Sequence, residues 1–233
     1  MTSEVPNLVV VLGSESAVLR PIVKNLAKEI QVIRVYSRAT PDPLLNCCDV
    51  PNIMEVPDIV NNFFGSSEVI RLGFIGAAFK RQQSLLVDQP MDEIDEMIDT
   101  NISLYIRAMK VLLPIMIRAK YGRIVYLSSF RSEASVRGAS IYSASKAFGE
   151  SFFSAVGKEY GRFGIATTSI RMGYFDSGMI DDYDSETKRR VTRSIAMNRL
   201  GTSNDLESVI QFCFSEAYLN SGVIELNGGL NLG

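Results

Sequence analysis

The run Leu8-Val9-Val10-Val11-Leu12, stopped by Gly13-Ser14, constrains the fold more than any other stretch of the chain. Its residues are all apolar and do not alternate with polar ones, so a strand built from them has no face for water. Such strands lie at the centre of a parallel sheet covered by helices on both sides. The residues that follow supply part of the cover. A helix over 16 to 29 gathers Leu19, Ile22, Val23, Leu26 and Ala27 on one face.

The same alternation continues along the chain. Val32 to Tyr36 predicts a second strand, Cys47 to Val50 a short third one, residues 53 to 64 a brief helix, and Glu68 to Phe74 a fourth strand. A long helical pattern over 92 to 120 ends at Tyr121-Gly122. It is followed by a strand at Arg123 to Leu127, a helix over 140 to 160 ended by Gly161, and a strand at Ile165 to Ile170. Two helices within 185 to 216 and a last strand at Val223 to Asn227 complete the series. The expectation is an α/β fold, a doubly wound parallel sheet of about seven strands with helices on both faces. No linker or internal repeat divides residues 1–233, a length that suits a single domain.

Composition limits the chemistry. There is no histidine, which excludes a Ser-His-Asp hydrolase, histidine-assisted zinc sites and any imidazole base. Proton transfer falls to Tyr, Lys, Cys, Asp or Glu, and no metal site is expected. Three cysteines, two of them adjacent at Cys47 and Cys48 and the third at Cys213, do not make a disulfide framework and suit a reducing compartment. A net charge of -2 gives no basic field for nucleic acid or an anionic membrane. The tightest basic cluster, Lys188, Arg189, Arg190 and Arg193, reads as a solvated helix face. The start Met-Thr-Ser-Glu-Val-Pro does not read as a secretory signal, and no apolar run approaches the length of a membrane span. A cytoplasmic location is the expectation.

Ligands of doubly wound sheets bind beyond the carboxyl ends of the strands. Gly13-Ser14, Ser37-Arg38, Asp49, Gly73, Ser128-Ser129 and Arg171 are expected there. Tyr142 and Lys146 stand four apart on one predicted helix and share a face. A lysine cation beside a phenol favours phenolate, which would lower the tyrosine pKa and make Tyr142 a general acid-base. Ser129, thirteen residues earlier at a strand end, is placed to donate to a developing oxyanion.

These residues, in the run Tyr142-Ser143-Ala144-Ser145-Lys146-Ala147, resemble the classical short-chain dehydrogenase/reductase family and its Rossmann-like fold. The pattern is nearest to its 3-oxoacyl-thioester reductase branch. The resemblance implies catalytic roles for four residues. Tyr142 would exchange a proton with the substrate oxygen, and Lys146 would bind the nicotinamide ribose and lower the tyrosine pKa. Ser129 would orient the carbonyl, and Asn101, in Thr100-Asn101-Ile102-Ser103, would help hold a proton-relay water. Gly13 resembles the first glycine of the cofactor loop, Asp49-Val50 the adenine-contacting pair, and Gly73-Phe74-Ile75-Gly76 the segment after the fourth strand. Gly173 and Ser177 lie in Arg171 to Ser177, which resembles the loop that contacts the nicotinamide amide. Arg199-Leu200-Gly201-Thr202, Ser221-Gly222 and Asn227-Gly228-Gly229 resemble the family's carboxyl-terminal pattern.

The cofactor end departs from that pattern. Ala17 and Leu19 stand at the second and third glycine positions, Glu15 brings a negative charge, and the asparagines of the fourth-strand segment are missing. Ser37 and Arg38 follow the second strand where an acid would suit NAD. Arginine pairs with a 2′-phosphate and serine donates to it, so NADP(H) is expected. The implied reaction reduces a ketone to a secondary alcohol, or the reverse, on a small-molecule carbonyl or alcohol. Residues 173–198 would form a substrate lid. Phe130 to Glu133 with Val136-Arg137 either line the pocket or form a plain surface loop. Apolar positions on several sides of the long helices, including Ile106, Leu112, Phe148, Phe152 and Phe153, fit a homodimer or homotetramer. The alternative is a protein of this fold with impaired cofactor binding that serves as a regulatory or structural partner.

Overall fold

The computed structural model describes residues 5–35, 46–63, 70–81, 84–134, 136–178 and 180–230. Seven strands form one parallel sheet: β1 (Leu8–Leu12), β2 (Gln31–Val35), β3 (Cys47–Val50), β4 (Leu72–Gly76), β5 (Gly122–Ser129), β6 (Ile165–Met172) and β7 (Gly222–Leu226). Their spatial order is β3-β2-β1-β4-β5-β6-β7. The chain reverses its direction of travel between β1 and β4, which creates the crevice where such sheets take their ligands.

β1 shows why the apolar run does not alternate. Leu8, Val10 and Leu12 pack with β4, α4 (Leu104–Ala119) and α5 (Ser140–Tyr160) on one side of the sheet. Val9 and Val11 pack with α1 (Leu19–Leu26) and α7 (Ser203–Ser215) on the other. Both faces of one strand are thus core, which requires an apolar residue at every position. The remaining helices are α2 (Val56–Phe63), α3 (Met91–Ile98) and α6 (Ser185–Arg193). Among the described residues no helix is long and apolar enough to cross a membrane.

Several boundaries differ from expectation. α1 begins at Leu19 rather than at residue 16, because Gly13 to Val18 form successive turns. In them the Ser16 amide donates back to the Gly13 carbonyl and the Leu19 amide to that of Ser16. β4 is shifted towards the carboxyl end, so Gly73 lies inside the strand, paired with Val9 and Arg123, and not after it. Asp49, Ser128, Ser129 and Arg171 likewise belong to their strands. The long helix expected over 92 to 120 is divided by a π-helical turn at Asp99–Ser103. Turns of this kind occur often at functional sites, and this one contains Asn101. Lys188, Arg189, Arg190 and Arg193 lie on α6, with Arg189, Arg190 and Arg193 exposed.

Candidate active site

A cleft at the carboxyl ends of β1, β4, β5 and β6 brings three of the four catalytic candidates to its wall or just behind it. Ser129, Tyr142 and Lys146 line a cavity of about 90 Å³ together with Val18, Phe79 and Met172. Asn101 is buried beside them. A larger groove of about 860 Å³ adjoins this cavity and shares Ser16, Ala77, Phe79 and Gly178 with it.

Packing of α5 on β5 fixes the pair on the helix. Gly149 allows a close approach, since a Cβ there would sit 2.3 Å from the Tyr126 ring. The Tyr126 ring in turn lies 5.0 Å from Lys146 Nζ, with the rings of Phe79 and Tyr142 at 5.1 and 5.9 Å. Lys146 Nζ donates to the Leu127 carbonyl at 2.8 Å. Rings and one carbonyl replace little of the water an ammonium loses on burial, and this pushes the Lys146 pKa down to about 7, with Glu150 acting against the fall.

Tyr142 corrects the expectation of a lowered phenol pKa. Burial raises it, and the hydrogen bond with Ser129, followed by Arg131 and Arg81, works in the opposite direction. The lysine that was to provide the lowering is itself starved of solvation and directed at a main-chain carbonyl.

Asn101 acts here as a tie between segments. Its side chain accepts from the Lys80 amide at 2.7 Å and donates to the Lys80 carbonyl at 2.8 Å and to Ser145 Oγ at 3.0 Å. Ser145 Oγ donates to the Tyr142 carbonyl at 2.7 Å. The π-helical turn, the chain after β4 and α5 are thereby joined around Tyr142.

The cofactor candidates divide into four groups. Gly13 has φ +76°, and a Cβ there would lie 2.7 Å from the Ala78 amide nitrogen, so this turn requires glycine. Gly173 and Ser177 line the cavity, and the Ser177 hydroxyl is buried without a partner among the described residues. Asp49 is held by Arg34 in a two-point ion pair at 2.6 and 2.7 Å, Val50 is in the core, and Gly76 packs against Tyr105. The segment that faces the Gly13 turn is therefore Ala77-Ala78, while Gly73 and Phe74 lie within the sheet. Ser37 and Arg38 lie outside the described residues.

Leu19 is fully buried in the core between the sheet, α1 and α7, which resolves the steric conflict expected from a leucine in the loop. Ala17 is exposed, and Val18 faces the cavity. Glu15 lines the larger groove, with one carboxylate oxygen buried and unpartnered among the described residues.

Sequence reasoning missed Phe79 as a cavity wall, while Ile180, another apolar residue of that wall, lies in the segment expected as the lid. Phe79 stacks edge-on against Tyr142 at 6.1 Å. The shifted end of β4 explains that omission, because the expected boundary put Phe79 too far along the loop. Phe130 turns inward against Tyr174, with ring centroids 5.1 Å apart, and Glu133 pairs with Arg171. The acids after β6 have structural partners: Asp181 accepts from the Gly178 amide, Asp182 pairs with Arg81, and Asp184 caps α6.

Residues 44–188 match the short chain dehydrogenase family. The chain belongs to that family of oxidoreductases. It is 28% identical over 151 residues to the 3-oxoacyl-[acyl-carrier-protein] reductase FabG of Pseudomonas aeruginosa, covering 64% of this chain and 61% of that enzyme. The solved structure of ElxO with NADP bound superposes with a TM-score of 0.84 at 18% identity, over 97% of this chain and 98% of that one. The 3-oxoacyl-[acyl-carrier protein] reductase of Brucella melitensis gives 0.84 at 17% identity, over 98% and 92%. At these identities the two structural likenesses establish the Rossmann-like fold.

Proposed function

We propose that this chain is an NADP(H)-dependent ketone reductase, working in either direction, with Tyr142 as the general acid-base. One observation carries the reading: the buried Tyr142 and Ser129 line one cavity together with Lys146, Gly173 and Ser177. The Ser177 hydroxyl, without a partner among the described residues, and the glycine-requiring turn at Gly13 are features that suit a dinucleotide, with the amide end near Gly173 and Ser177. Ser37 and Arg38 are assigned to the 2′-phosphate on their chemistry alone.

A nicotinamide held near Gly173 and Ser177 would supply or accept the hydride. Tyr142 gives its proton to the carbonyl oxygen in reduction, and Ser129 donates a hydrogen bond to the same oxygen. Burial that keeps Tyr142 protonated suits it to act as the acid. Lys146 orients the ribose and places positive charge behind the phenol. Val18, Phe79, Met172 and Tyr174 give the cavity an apolar lining, which favours a substrate with little charge around its ketone. Segment 173–198 serves as the lid, and the half-buried, stacked pair Phe148 and Phe152 with exposed Ile106 fits assembly as a homodimer or homotetramer of a cytoplasmic enzyme.

Parallel calorimetric titrations with NADPH and NADH test this reading. NADPH should bind more tightly, with the preference abolished by Arg38→Ala. Binding of neither nucleotide would overturn it.

A further inference from the structure

Behind Lys146 lies a charged cluster that the reaction as described does not use. Glu150 follows Lys146 by one turn of α5, near enough for side chains at this spacing to interact. Its carboxylate is held from three directions. Ser128 and Ser132 donate to Oε1 at 2.5 and 2.6 Å, and Arg171 Nε donates to the same oxygen at 3.1 Å. Arg171 Nη2 takes Oε2 at 2.8 Å. The remaining guanidinium nitrogen, Nη1, is shared by Glu133 at 2.6 Å and Glu225 at 2.5 Å. Arg171 and Glu150 side chains are largely buried, at 15% and 12% exposure, whereas Glu133 and Glu225 reach solvent.

This arrangement makes Glu150 a fixed charge rather than a mobile surface acid. The four hydrogen bonds favour its ionised form and hold its pKa below the ordinary carboxylate value, although burial acts against them. Lys146 meets uncharged groups on its other sides: the ring of Phe79 beyond β4, the Tyr126 ring and the Leu127 carbonyl of β5, and the Tyr142 ring of its own helix. The charged groups packed around these elements are Glu150 on α5, Arg171 on β6, Arg131 and Glu133 after β5, Glu225 on β7, and Arg81 after β4. Of these, Glu150 is the acid that acts on Lys146.

We propose that Glu150 is a positioning residue for the reaction, the buried counter-charge of Lys146, held rigid by Arg171, Ser128 and Ser132. It acts through the lysine and does not reach the cavity. Arg171 has two effects in this arrangement: it keeps Glu150 ionised and aimed, and it offsets part of the negative charge. The proposal rests on the reductase reading for its catalytic meaning, but its physical content is independent of any nucleotide or ketone.

The test is the protonation midpoint of Lys146 in the nucleotide-free protein, followed by ¹³C NMR of labelled lysine side chains and assigned by the signal lost in Lys146→Arg. Glu150→Gln should move that midpoint to lower pH by about one unit, the low end of what a nearby opposite charge does. Glu150→Met/Arg171→Met replaces the pair with apolar residues of similar volume, an exchange buried ion pairs tolerate. It should also lower the midpoint, and it carries the test if Glu150→Gln does not fold. In active protein, the alkaline limb of kcat/KM should move in the same direction as the midpoint. A midpoint unmoved or raised in a folded variant overturns the proposal. A lowered midpoint in a protein that reduces no ketone would uphold the charge relation and reject the reductase reading.

Discussion

The two ends of the cleft are held together in different ways. At the β5–α5 end, the polar groups are held by hydrogen bonds that cross between elements. Ser129 meets Tyr142, Asn101 ties Lys80 to Ser145, and Lys146 reaches Leu127. At the β1 end, Gly13 makes the turn, and the next positions serve other tasks: Leu19 fills the core, Val18 walls the cavity, and Glu15 has a buried oxygen without a partner among the described residues. The difference is one of constraint: the loop at the β1 end is set by backbone shape, and the β5–α5 end by a network of side-chain bonds. A loop residue answers to few partners, and a network residue to several.

The comparison yields four predictions. The largest effect is expected from Tyr142→Phe, which should lower ketone reduction by about 10²–10⁴-fold, the usual worth of a general acid, while NADPH affinity is kept. Unchanged turnover would remove the β5–α5 end from the chemistry. Next, Leu19→Ala should destabilise the fold by about 2–5 kcal/mol in denaturant titration, as for other buried leucines, because this position now serves the core. A neutral result would mean that Leu19 still belongs to the nucleotide loop.

Lys146 gives the third prediction. Its pKa is about 7 in the folded chain against an ordinary 10.5. Between those values the unfolded chain keeps a proton that the folded chain releases, so stability from this group rises with pH, by ~1.4 kcal/mol per unit. Thermal unfolding of nucleotide-free protein between pH 7 and 9 should show that rise, and Lys146→Met should flatten it. A slope shared by both proteins would contradict the buried, poorly solvated lysine. The smallest effect is expected from Glu15→Gln, which should tighten NADPH a few-fold by removing a negative charge from the groove, on the order of 1 kcal/mol or less. Weakened binding would show that Glu15 is a nucleotide contact in its own right.

Much of this organisation was legible in the sequence. The unalternating run at Leu8–Leu12 indicated a strand buried on both faces, and the order of elements indicated a doubly wound sheet. Tyr142 and Lys146 met in one cavity because helical spacing fixes a shared face. The turn at Asp99–Ser103 was not legible, since an inserted π-helical residue leaves the apolar pattern on either side nearly unchanged. Nor was the end of β4, where glycines and alanines mark no boundary, so Ala77-Ala78 and Phe79 went unassigned. The direction of the Tyr142 pKa escaped because spacing locates a lysine but not its solvation. The ion pair of Asp49 was not legible either: its partner Arg34 lies on the neighbouring strand, and sheet register is not written in local sequence.

The central claim, that Tyr142 serves hydride exchange between NADP(H) and a ketone, is tested most directly by label transfer. Wild-type protein incubated with NADPH deuterated at the nicotinamide C4 and a panel of uncharged ketones should place deuterium on the carbinol carbon of the product. Tyr142→Phe, with NADPH binding retained, should produce almost none. Absence of label from every wild-type product, or equal transfer by the phenylalanine variant, would contradict the account.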